Sequence, residues 1–303
     1  MRDCRQETTM AVLEISQLTK NYQTFSLGPI DLALDAGCAM GLIGANGAGK
    51  TTLFRCLMGT VRRDHATITI DGKSAIHTQG LWKQQIGYVG DYTPLFGGWS
   101  GKRNLATIAP FYPDWSQERA EQLAGRLNLD LNQKVKHYST GQRAKLAIIL
   151  ALSHSPKLLL MDEPTSGLDP VSREVFMELL FEQMASERVA LLYATHHISE
   201  IEQLADRLVF ISNGRIVRDE IKEDLAETWR RVSYQHDQPL ADIPNVMSHK
   251  SDPPYHELIS DNAEITMRFL SDSGVGGIES SRLSIEKIAV QILRETAEET
   301  HHV

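Results

Sequence analysis

The chain has 303 residues, enough for about two average domains, and its composition of 42% hydrophobic and 23% charged residues can bury a sizeable core. No stretch approaches the roughly 18 continuous apolar residues that span a bilayer, so a soluble chain is expected. Thirty-one Lys and Arg against 39 Asp and Glu give a net charge of −8, the reverse of the basic footprint of a chain that grips nucleic acid by its phosphates. Cys4, Cys38 and Cys56 lack the paired spacing of a zinc or redox motif and read as reduced cytosolic thiols. The first residues lack the apolar core of a secretory signal, so a cytoplasmic chain is expected.

In chain order, short apolar runs alternate with helical patterns, which favours a parallel sheet with crossover helices. The candidate buried strands are 39–43, 158–161, 190–194 and 208–211. Helical spacing recurs at Ala120, Leu123, Ala124 and Leu127, and again at Ala147, Leu150 and Ala151. Residues 241–303 hold 11 acids and 5 bases, which sets a composition boundary near 230–245. The polar, Pro-interrupted segment 242–254 reads as a linker or long loop. Beyond it, 264–270 reads as a strand, and Ile285, Ile288, Ala289 and Ile292 form one helical stripe behind a capping Ser284.

Two sites carry chemistry. From Gly44 the chain reads GANGAGKTT, which satisfies G-x-x-x-x-G-K-[ST] between a strand and a helix. Residues Gly44, Ala45, Asn46, Gly47, Ala48, Gly49, Lys50, Thr51 and Thr52 would wrap a phosphate chain with backbone amides. Lys50 would reach the β- and γ-phosphates, and the Thr51 hydroxyl would ligate magnesium. Residues 158–163, LLLMDE, form an apolar strand ending in two carboxylates. Their side chains leave in different directions, so Asp162 can hold the metal while Glu163 orients the attacking water.

With these sites and the residues between them, roughly residues 11–220 resemble the nucleotide-binding subunit of an ABC transporter. The most specific match is Tyr138-Ser139-Thr140-Gly141-Gln142, similar to the family signature LSGGQ. Ser166–Asp169, SGLD, is similar to the D-loop, and Thr195-His196 to the switch histidine. The resemblance implies a P-loop NTPase of ABC type: an α/β fold with a mixed sheet core, a helical subdomain at about 92–155, an ATPase domain over 1–230 and a small α+β extension over 231–303. It implies that ATP and Mg2+ are the cofactors, and that Tyr22, just ahead of the first long sheet segment, stacks on adenine. Ser139 and Gly141 would contact the γ-phosphate held by a second copy, Asp169 would belong to the nucleotide-binding set, and His196 would sense that phosphate. Two positions depart from the family. Asp91 stands nearest the loop glutamine that meets magnesium, and Thr140 replaces the first signature glycine.

The resemblance further implies ATPase subunits paired as a homodimer or heterodimer that closes around two ATP. They would work against a separately encoded transmembrane permease, which would dock on Tyr92–Trp99 with Gly101. The motif order is most like that of bacterial exporters. The chain would then sit in the cytoplasm, peripheral on the inner membrane face, touching the membrane only through the permease and binding no nucleic acid. The alternative is a soluble non-transport ABC ATPase, in iron–sulfur assembly, translation or repair. Translation-type members hold two nucleotide domains and repair-type members a long coiled coil; neither is present here.

Overall fold

The computed structural model describes residues 11–75, 80–90 and 93–301. β1 (Ala11–Asn21), with breaks where its register shifts, and β2 (Ser26–Asp35) largely alternate buried and exposed positions, as strands covered on one face do. β3 (Ala39–Ile43) is buried throughout and feeds α1 (Lys50–Leu57). After β4 (His65–Ile70) and β5 (Lys73–Ser74), β6 (Ile86–Val89) leads to the helices α2 (Gly101–Ile108), α3 (Gln117–Arg126) and α4 (Thr140–Leu152). These fill the stretch expected to be helical. Then come β7 (Leu158–Asp162), α5 (Pro170–Glu187), β8 (Ala190–Ala194), α6 (Ile198–Leu204), β9 (Arg207–Ser212), β10 (Arg215–Ile221) and α7 (Lys222–Thr228). The last elements are β11 (Arg230–Gln235), β12 (Val246–Asp252), β13 (Tyr255–Ser260), α8 (Ala263–Asp272), β14 (Gly276–Arg282) and α9 (Ile285–His301).

The central sheet runs β10-β9-β3-β8-β7-β6. Its strands pair in parallel except β10, which is antiparallel to β9, so the sheet is mixed. Because parallel strands are covered on both faces, their sequences are continuous apolar runs, and all four candidate strands appear. Alternate side chains of one strand serve two cores. Leu158 and Leu160 join α1 and the antiparallel sheet β2-β1-β4-β5, while Leu159 and Met161 join α3, α4, α5 and α6. The β-sheet therefore sits between a helical layer and a second sheet, with the loop after β3 at its rim.

Three sequence expectations are corrected. Residues 264–270 form α8, not a strand. The apolar Ile265, Met267 and Phe269 alternate as in a strand, yet Ala263, Thr266 and Leu270 are the residues buried and Ile265 is exposed, which is helical spacing. Residues 242–254 are not a plain loop, because β12 lies between the prolines as an edge strand pairing only with β13. Tyr22 follows the first long strand, β1, rather than preceding it. Cys56 is a free buried thiol, and Cys4 lies outside the described residues.

The C-terminal segment divides its allegiance. β12-β13-β11-β14 and α8 form a small antiparallel unit around Val232, Tyr234 and Leu258. α9, capped by Ser284 Oγ, which accepts from Lys287 N (3.4 Å), returns to the helical layer. There Ile285, Ile288, Ala289 and Ile292 pack into the same core as Trp229 and Leu204.

Candidate functional site

β3 ends at Ile43 against β9, and the chain then turns tightly. A Cβ on Gly44 would stand 2.4 Å from the Ile211 carbonyl oxygen, so only glycine fits there. Gly49, at φ +112, caps α1 in a left-handed conformation that glycine adopts without a steric cost. The loop is tied to its neighbours by Gly214 N donating to Ala48 O at 3.0 Å. Lys50 Nζ curls back to donate to the carbonyls of Gly44 (2.6 Å) and Ala45 (3.1 Å). Burial pushes the Lys50 ammonium below its usual range, against the pull of Glu163 and Asp162. Among Ala45–Thr52, every residue but Ala48 lines a cavity of about 230 Å³, shared with Asp162 and Glu163.

Asp162, the buried last residue of β7, and Glu163 close that cavity. Glu163 takes φ +52, which is rare for a side-chain-bearing residue, and its N–H donates to Ala194 O at 2.8 Å. Its Oε2 lies 2.7 Å from His196 Nδ1 and accepts from Thr195 Oγ1 at 3.3 Å. His196 is largely exposed, so the pair faces solvent where a nucleotide's terminal phosphate could enter. His197, which has no assigned role, packs its ring on His196 with centroids 3.9 Å apart.

The signature and D-loop residues lie elsewhere. Ser139 caps α4 in a reciprocal box with Gln142, and neither it nor Gly141 lines the phosphate cavity of its own chain. Gly141 is required by contact: a Cβ there would come within 2.3 Å of Gly167 O. In turn a Cβ on Gly167, itself at φ +80, would stand 3.0 Å from Thr140 Cγ2. The unusual Thr140 thus packs on the D-loop, and it also lines a second cavity of about 450 Å³ with Gly90, Leu95, Asp162 and Glu163. Asp169 caps α5, accepting from Ser172 N at 2.9 Å, with Lys145 Nζ 3.6 Å away. The Ser172 hydrogen bonds foremost hold its carboxyl down at about 2. Asp169 is not brought to the phosphate cavity either.

Tyr22 is half exposed, with Lys20 Nζ 5.3 Å from its ring centroid, and it does not line the phosphate cavity. Phe25, which carried no expectation from the sequence, does, its Cζ 3.0 Å from where a Cβ on Gly49 would stand. An aromatic three residues past Tyr22 was the available signal. Asp91 lies outside the described residues, as does Tyr92.

This fold and site define a phosphate-loop nucleoside triphosphatase with an inserted helical layer. Residues 27–166 match the family described as ABC transporter. The chain is 33% identical over 231 residues to the methionine import ATP-binding protein MetN of Protochlamydia amoebophila, covering 70% of this chain and 67% of that one. It is 30% identical over 246 residues to the daunorubicin/doxorubicin resistance ATP-binding protein DrrA of Streptomyces peucetius, covering 78% and 74%. A solved structure of an ATP-binding subunit of an ABC transporter superposes with a TM-score of 0.66 at 27% identity, covering 71% of this chain and 92% of that one. The chain belongs to the ABC transporter ATP-binding proteins. It is an ATP-binding, ATP-hydrolysing subunit of such a transporter.

Proposed function

We propose that two such ATPase subunits close on two ATP molecules and drive an exporter through a separately encoded permease. The observation that carries the hydrolytic part is the Glu163–His196 contact at 2.7 Å beside a cavity that also holds Lys50. In this reading Lys50 leaves its loop carbonyls for the β- and γ-phosphates. Glu163 orients the attacking water, and His196 answers the charge of the γ-phosphate. A hydroxyl and a buried carboxylate, Thr51 and Asp162, line that one cavity, and hard oxygen donors suit magnesium. Bound there with ATP, the ion would neutralise phosphate charge.

Ser139 and Gly141 lie at the start of α4, whose amides favour an anion, yet outside their own chain's cavity. This supports a site completed by a second copy. For the permease, Phe96 is half exposed and packs at a tilt against Trp99, ring centroids 4.4 Å apart, with the Arg103 guanidinium 4.5 Å over the Trp99 ring. An exposed aromatic and cationic knob of this kind fits a short cytoplasmic helix of a membrane protein. No described helix is long and apolar enough to cross a membrane, so the subunit would stay peripheral on the inner face through that contact. Export is favoured by the likeness to DrrA, a drug-resistance ATP-binding protein. This reading also assigns 1–230 to an ATPase domain and 231–303 to an extension, and α9 of the extension packs in the core of the first part.

The test is to tag the Glu163→Gln variant, extract membranes in mild detergent with ATP and magnesium, and identify what co-purifies. A polytopic membrane protein at fixed stoichiometry, with two ATPase subunits per complex, is expected. Purely soluble partners would overturn the transport coupling. Inward movement of substrate in vesicles bearing that complex would overturn export.

A further inference from the structure

We infer that Glu200 is a positioning residue for hydrolysis: its carboxylate clamps the turn that follows Glu163 to the strand that delivers His196, and so fixes the distance between them. The inference rests on the reading of Glu163 and His196 given above.

Glu200 belongs to none of the motifs, yet it is only 4% exposed. Its Oε2 accepts the Tyr193 hydroxyl at 2.6 Å and the Thr165 hydroxyl at 3.1 Å. Arg173 Nε lies 3.4 Å from Oε1, as an ion pair rather than an aligned hydrogen bond. The Glu200 N–H donates to His197 O at 2.9 Å, closing the first turn of α6 on its cap. Four pieces of chain therefore meet at one carboxylate. Tyr193 lies on β8, just ahead of Thr195 and His196 in the segment that follows it, and Arg173 stands on α5 beyond the D-loop. Thr165 lies in the turn after Glu163, where Ser166 N donates to Glu163 O and Leu168 N to Thr165 O.

Burying an acid costs free energy that an apolar residue would not, and pairing returns only part of it. What the carboxylate does add is directional constraint. Glu163 sits in a left-handed backbone conformation, which persists only where its surroundings over-determine it. On one side of the Glu163–Thr195 junction the constraints are Glu163 N to Ala194 O and Thr195 Oγ1 to Glu163 Oε2. Glu200 supplies the matching constraint on the other side. Burial and the neighbouring carboxylate push the Tyr193 phenol well above its usual range, so it remains a donor.

The experiment measures ATP turnover and equilibrium ATP binding in the full chain. A displacement of the base by about 1 Å can cost on the order of 10²-fold in rate, so Glu200→Ala should lower kcat about tenfold or more. ATP affinity should stay within about twofold, because Glu200 is not in the phosphate cavity. Glu200→Gln, which retains an acceptor oxygen for Tyr193 and Thr165, should restore part of kcat. Tyr193→Phe added to Glu200→Ala should cost nothing further, since both remove the same clamp. An unchanged kcat in Glu200→Ala, or equal losses in kcat and affinity, would overturn the inference. If Glu200→Ala does not fold, Tyr193→Phe alone decides, because it keeps the ring's shape: a lower kcat at constant affinity supports the clamp and an unchanged kcat refutes it. Glu163→Gln, run in parallel, separates the two levels. Turnover retained there defeats the reading of the site, whereas turnover lost there but kept in Glu200→Ala defeats only the clamp.

Discussion

Glu163 is where local strain and chemistry coincide, since its φ of +52 aims the carboxylate at His196 rather than along the strand. Glu163→Gln keeps that shape and removes the base. Steady-state hydrolysis should fall by about 10²-fold or more with ATP still bound, and a phosphate-release assay beside a binding titration reads both. Lys50→Ala should do the opposite, weakening ATP binding about tenfold or more as a charge-assisted hydrogen bond is lost, which calorimetry checks. A third residue sets a pH dependence. His154 is buried against Tyr112, their rings 4.0 Å apart, and burial foremost pulls its pKa down to about 4. Between the usual value near 6.5 and about 4, the unfolded chain takes up a proton that the folded chain refuses. Stability contributed by neutral His154 is thus full above about 6.5 and is lost as pH falls towards 4, up to about 3 kcal/mol. Denaturant unfolding at about pH 7.5 and pH 5 should show a smaller drop in His154→Phe than in the parent chain.

At the scale of elements, α4 and the D-loop meet through two glycines with almost no clearance. Gly141→Ala must push the Gly167 carbonyl away, and a cost of about 1–3 kcal/mol is expected in thermal or chemical unfolding. Ser139→Ala, which removes only the cap, should cost about 1 kcal/mol. The phosphate loop and LLLMDE were legible because each needs particular residues at fixed spacing beside a fully buried strand. Phe25 was only half legible, because two aromatics stand three residues apart and only the folded loop shows which of them reaches the cavity beside Gly49. Glu200 was not legible, because its partners Tyr193, Thr165 and Arg173 are brought together only by the sheet order. α8 was misread because its alternating apolar residues fit two periods, and burial of Thr266 rather than Ile265 decided for the helix. β12 was hidden by flanking prolines, which break a central strand but merely bracket an edge one.

At the scale of the whole molecule, the helical layer is finished by a helix from the far end of the chain. Ile288 is fully buried there, so Ile288→Ala should lower stability by about 2–5 kcal/mol and the melting temperature with it. An equal effect from Val290→Ala, whose residue is 40% exposed on the same helix, would contradict this account of α9. The arrangement bears on how the protein is made. Synthesis proceeds from the amino end, so the phosphate loop, both carboxylates and the switch histidine all leave the ribosome before α9 does. Until then the apolar ground around Trp229 and Leu204 has no cover, and a nascent chain with every motif in hand still lacks part of its core. Completion of the nucleotide-handling core is thereby postponed until α9 has emerged.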